Sequence, residues 1–129
     1  MTGDLFSHSV RAEDLLSRRL RLEMVPGDSM EPTLRSRWDF VLVRPVSAYE
    51  GEGIYLVSDD FGSWKITRAS NTLGGMKGHI LLYVDNKRYG ERLVTREWFD
   101  ENALAIVVAD IKVRDHQLLQ SAASSEVRP

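Results

Sequence analysis

The feature that most constrains the fold is a succession of short β-forming runs, each closed within a few residues by turn chemistry. Leu20, Leu22 and Met24 alternate with Arg21 and Glu23, the two-residue period of a half-buried strand that delivers the chain to Gly27. "DFVLVRP" at 39–45 is rich in β-formers and stopped by Pro45. "GIYLVSDDFGSWKITRAS" reads as a hairpin with arms over 53–57 and 63–69 and its turn residues in "SDDFG". "HILLYV" (79–84) and "ALAIVVADIKV" (103–113) complete the set, the second apolar enough to be buried on both faces. Helical signals are sparser. "VRAEDLLSRRL" over 10–20 places Glu13 and Asp14 early and Arg18 and Arg19 late, as a helix dipole favours, with Leu16 and Leu20 on one face. Pro32 suits the first turn of a second short helical segment after Ser29. The expected fold is mainly β, with antiparallel strands and one or two short helices.

A chain of 129 residues, 43% of them hydrophobic, supports one compact core. The organisation expected is an N-terminal arm and short helix over 1–19, a β domain over 20–114, and a flexible polar tail over 115–129. A formal net charge of −2 gives no electrostatic case for gripping nucleic acid or an anionic membrane. The absence of cysteine excludes a disulfide framework, a thiolate zinc site and a cysteine nucleophile, and it fits a cytoplasmic location. No apolar run approaches the roughly 18 residues that would span a bilayer. "MTGDLFSHSV" lacks the pattern of a signal peptide. The glycine-rich "NTLGGMKG" has no helix after it, so it reads as a connection rather than a phosphate cradle. No metal or cofactor site is read from the chain.

His8, His79 and His116 are scattered, which argues against a zinc site or a Ser-His-Asp triad and suits surface or capping roles. Carboxylates such as Asp59 and Asp60 lie in turns, and no glycosidase-type pair stands out. The segment that draws attention is "GDSMEPTL", 27–34. Ser29 either caps the short "EPTL" turn or acts as a nucleophile, and one hydroxyl can serve both ends. A nucleophilic serine needs a base, and without a usable histidine the remaining choice is a lysine, as in Ser-Lys variants of triad logic. The chain has Lys65, Lys77, Lys87 and Lys112. Lys77 and Lys87 fall in loops, and Lys112 at the far end of the last strand. Lys65 sits inside a strand between Trp64 and Ile66, which point to the opposite face and pin that strand to a core. An ordinary lysine titrates near ~10.4, so neutrality near pH 7 takes about 3 units, or roughly 4 kcal/mol. Burial in a mostly apolar groove can supply that. Pattern by itself leaves Lys65 open as a surface strand residue or such a base.

"GDSMEPTL" followed by "DFVLV", "GIYLV", a hairpin carrying "WKITR" and then "ILLYVDNKRY" resembles the peptidase domain of LexA-type and CI-type phage repressors. The mutagenesis protein UmuD and, more distantly, type I signal peptidases share that core. The resemblance covers about residues 20–113, and the Ser29-to-Lys65 separation is similar to the family's. It implies Ser29 as nucleophile, Lys65 as general base and backbone N–H groups about Met30 as the oxyanion hole. It also implies a homodimer and self-cleavage of an upstream linker that joins the body to a helix-turn-helix head, as in SOS-type regulation. A RecA-type co-protease or an antirepressor would be the regulating partner.

The pattern departs from the family in several places. Trp38 stands where relatives carry glycine before the "VLV" strand, and Ile66 follows Lys65 where many carry arginine. Relatives cut at Ala-Gly or Cys-Gly, and neither dipeptide occurs in this sequence. Residues 1–19 are too short for a helix-turn-helix, so DNA contact would need a domain not in this sequence. These departures motivate a second expectation: a non-cleaving dimerisation and partner-binding module of a phage-type repressor, relieved by an antirepressor. A processing peptidase acting in trans would need a membrane anchor and an apolar contact surface, which the sequence does not display.

Overall fold

The computed structural model describes residues 11–13, 19–71 and 78–125. The helix expected over 10–20 lies largely outside the described residues. Seven strands follow: β1 Arg21–Met24, β2 Phe40–Pro45, β3 Gly53–Ser58, β4 Trp64–Asn71, β5 His79–Tyr83, β6 Arg92–Thr95 and β7 Ala103–Ile111. Helix α1 spans Arg96–Asn102 between β6 and β7, and α2 spans His116–Ser125. The strands form one antiparallel sheet in the order β1-β2-β7-β3-β4-β5-β6. The fold is mainly β. No helix among the described residues is long and apolar enough to cross a membrane.

Alternation along the strands sends side chains to two cores on opposite faces. Leu56 joins Val41, Val43, Ile66 and Ala105 on one face, beneath Val25, Met30 and Leu34 from the segment after β1. Its neighbours Tyr55 and Val57 join Ala69, Ile80, Leu82, Val94 and Ala103 on the other, covered by Phe99 of α1. Ala103 and Ala105 would share a face in a regular strand. Between them the partner register shifts from Val57↔Ala103 to Leu56↔Ala105, so Leu104 is an extra residue that flips the parity. A second shift, from Val43↔Val107 to Leu42↔Ala109, makes Val108 extra in the same way.

Those bulges correct the expectation that 103–113 is buried on both faces. Leu104 and Val108 are 42% and 49% exposed, and the strand's buried residues are Ala103 and Ala105. The polar tail also differs from expectation, because 116–125 is helical rather than frayed. Its start is tied down: Trp38 Nε1 donates to Val113 O at 2.7 Å, and His116 Nε2 lies 2.7 Å from Trp38 O. The Trp38 and His116 rings meet edge to face at 4.3 Å. Trp38 thus docks the C-terminal segment, while the neighbouring Arg37 takes the positive φ of 53°.

Strand β6 and helix α1 were not foreseen in the sequence. α1 starts where Thr95 Oγ1 accepts the Trp98 N–H at 3.0 Å. Its single buried residue, Phe99, wedges edge-on against Tyr55 at 4.9 Å and Tyr49 at 5.6 Å.

Candidate functional site

The serine-bearing segment is a turn rather than a helix. Glu31 N–H donates to Asp28 O at 3.1 Å and Leu34 N–H to Met30 O at 2.9 Å, and Met30 and Leu34 are fully buried in the first core. Apolar anchors at 30 and 34 therefore clamp the turn and leave Ser29 half-buried at its lip. Farther along, Asp39 accepts the Arg35 N–H and the Lys112 ammonium, each at 2.9 Å, and its own carbonyl receives the Val25 N–H at 3.0 Å. Lys112, at the far end of β7, is thus used up in structure.

Lys65 comes from β4, opposite Val57 of β3. It and Ser29 border the same cleft of about 300 Å³, together with Ile66, Leu82, Val84 and Tyr89. A second recess of about 260 Å³, on the side of Asp28 and Trp64, meets the first at Ser29, Lys65, Ile66 and Tyr89. Ser29 and Lys65, far apart in sequence, stand at the junction. Lys65 nevertheless differs from the desolvated amine that the sequence argument required. It is exposed, and among the described residues no hydrogen bond joins its amine to Ser29.

The reason lies in the sheet. Trp64 and Ile66 point into the first core, so Lys65 faces the other way. There β5 pairs β4 from Arg68↔Tyr83 to Asn71↔Ile80 and no farther, leaving the outer edge of 64–67 without a strand partner. Water reaches the amine through that gap.

A turn at 85–89 closes one side of the cleft. Asn86 N–H donates to Ser29 O at 2.9 Å and Asn86 Nδ2 to Asp28 O at 3.0 Å, while Tyr89 OH donates to Asp28 Oδ1 at 2.6 Å. Asp85 receives Arg68 Nε at 2.6 Å and Nη2 at 3.0 Å, a bidentate pair, and also the Thr33 hydroxyl. The Arg68 guanidinium holds the Asp85 carboxyl below its ordinary value against the opposing effect of burial, with Thr33 adding to the depression. The hydrogen bond to Asp28 raises the Tyr89 phenol. This turn therefore ties the lysine strand to the serine turn.

Other sequence candidates scatter. His116 contacts Trp38, Lys87 is exposed in the 85–89 turn, and Asp59 caps the β3–β4 hairpin by accepting the Phe61 and Ser63 N–H groups at 2.9 Å. His8 and Lys77 lie outside the described residues. Among the described residues no cluster of His, Asp and Glu converges on a metal-sized site. Asn86, Tyr89 and the Arg68–Asp85 pair were missed in "DNKRYG" and "WKITR", because Asp and Asn are ordinary turn residues and only tertiary contact distinguishes them.

Chemically, the junction offers a hydroxyl, an amine and the Ser29 backbone N–H beside an apolar recess, the parts required for acyl transfer. No family model matches the chain, and no curated protein matches it.

Proposed function

We propose that this chain is a peptidase and dimerisation domain of the LexA/CI kind, with Ser29 as nucleophile and Lys65 as general base. The observation that carries the reading is that the serine of "GDSMEPTL" and the strand lysine border one cleft. The substrate is an extended peptide segment, in the simplest case the upstream linker of the chain's own regulator. Such a segment adds to the free edge of β4 at 64–67 by main-chain pairing, its side chains falling alternately into the recesses on either side of Ser29. Ile66, Leu82 and Val84 suit an apolar side chain in the deeper recess.

Docking also supplies the desolvation that the free domain lacks. A peptide laid across the gap covers Lys65, and stripping water from an ammonium favours its neutral form. The neutral amine takes the Ser29 proton as the oxygen attacks the scissile carbonyl. The carbonyl oxygen then carries the negative charge, facing the Ser29 backbone N–H. Lys65 returns the proton to the departing amine, and water releases the acyl group.

A fusion placing an Ala-Gly linker ahead of residue 1, incubated between pH 7 and pH 10, tests the reading. Cleavage should rise with pH, as alkali removes the lysine proton, and should vanish in Ser29→Ala and in Lys65→Ala. Equal cleavage in both variants would refute the dyad.

Two observations favour the second reading, a non-cleaving partner-binding module relieved by an antirepressor: the exposed Lys65, whose amine has no hydrogen bond to Ser29 among the described residues, and the absence of Ala-Gly from the sequence. It requires the fused linker to stay intact at every pH.

A further inference from the structure

We infer that Asn86 is a positioning residue for the oxyanion hole, acting through the backbone of Ser29. The inference rests on the peptidase reading above. Asn86 holds two successive carbonyls, Asp28 O through its side-chain amide at 3.0 Å and Ser29 O through its backbone N–H at 2.9 Å. The Glu31 N–H reinforces the first at 3.1 Å. Among the described residues the cis peptide is Glu31–Pro32, so the two peptides held by Asn86 are trans. In a trans peptide the N–H points opposite to the C=O. The plane whose carbonyl belongs to Asp28 carries the Ser29 N–H, and the plane whose carbonyl belongs to Ser29 carries the Met30 N–H. Fixing the two carbonyls on the Asn86 side therefore fixes both N–H groups on the side away from it.

Neither N–H has an acceptor among the described residues. Met30 is 0% exposed, so its N–H is closed to an incoming oxygen, and the accessible donor is the N–H of half-buried Ser29 at the lip of the cleft. An unpaired donor held in place beside the hydroxyl forms a receptor for an oxygen that becomes negative during attack. It needs no reorganisation as the charge develops. The Asn86 side chain fixes it by holding the Asp28 carbonyl of the same peptide plane. Tyr89 and Asp85 brace the same turn, but neither touches a Ser29 or Asp28 carbonyl.

The test is covalent labelling of Ser29 by an alkyl fluorophosphonate. The serine oxygen displaces fluoride, the lysine takes the proton, and the tetrahedral phosphonyl oxygen occupies the oxyanion position. In Asn86→Asp the side chain keeps its size but loses the Nδ2 donor, and in Asn86→Ala the donor is removed without adding charge. Both retain the backbone N–H to Ser29 O. Each should lower the maximal inactivation rate about tenfold, less than the hundredfold or more seen on deleting a whole oxyanion donor. The concentration for half-maximal rate should stay unchanged. The factor should be the same at pH 7 and pH 10, because peptide orientation does not titrate. Thermal melting of each variant identifies folded protein, and either variant suffices if the other unfolds.

A loss that disappears at pH 10 would place the action of Asn86 on Lys65 and overturn the inference. Wild-type labelling at Ser29 with unchanged rates in both variants would overturn it while leaving the dyad standing. Failure of the wild type to label at all would remove both.

Discussion

At Asp39, a side chain 2% exposed accepts one backbone N–H and the Lys112 ammonium, whose own side chain is 54% exposed. Burial pushes the Asp39 carboxyl up, but the Arg35 N–H and Lys112 outweigh it, and the group titrates below its ordinary value of 3.8. A depressed folded-state value means that the stabilisation is complete above the unfolded value and fades as pH falls through the folded one. Asp39→Asn should cost about 1–2 kcal/mol at pH 7, the worth of a charge-assisted hydrogen bond less the screening at exposed Lys112. Urea titrations should show the gap between variant and wild type closing below pH ~4, since the unfolded carboxyl titrates there; a gap constant with pH would contradict the assignment. At Lys65 the residue argument is chemical. Lys65→Arg keeps a cation on β4 but not one that gives up its proton. Linker cleavage should be lost at pH 10 as fully as in Lys65→Ala, read by gel densitometry.

Between elements, β6 and α1 are held to the sheet by a cap and a wedge. Thr95→Ala removes the N-cap acceptor and should cost about 1 kcal/mol. Phe99→Ala empties a fully buried site against Tyr55 and should cost about 3–5 kcal/mol by denaturant unfolding. The difference between the two separates what local capping contributes from what packing contributes. This region was illegible in sequence because "RLVTREWFDEN" supplies the core with one residue of its strand, Val94, and one of its helix, Phe99, too little for a periodic signal. The long apolar run before the tail misled for the opposite reason. Its composition suited burial on both faces, but the extra residues Leu104 and Val108 turn outward at bulges, which depend on the register of β2 and β3.

Over the whole molecule, the site sits where two cores stop sharing a sheet. The serine turn belongs to the first core and the lysine faces the side of the second, so the 85–89 turn spans the break. One face of β1, β2 and β7 leaves Leu22, Met24 and Ile111 at 55%, 42% and 38% exposure, beside the partly covered Phe40. Directly opposed residues in antiparallel strands share a face, so these side chains form one patch. The proposed homodimer would bury it. Sedimentation equilibrium should then give twice the mass of 14.7 kDa, and Met24→Glu should weaken association at least tenfold without lowering the melting temperature. A wild type that stays monomeric at ~100 µM, well above the range of stable interfaces, would dispose of the dimer.

By itself the sequence determined the β class and the approximate limits of β1 to β5 and β7, and it singled out Ser29 and Lys65, which border one cleft. Those depend on side-chain period, turn residues and spacing, all local properties of the chain. The tertiary structure decided which faces are buried, that β5 departs early enough to leave Lys65 in water, and that Asn86 holds the peptides about Ser29. Each depends on residues distant in the chain coming within a few ångströms, and no window of sequence contains both partners.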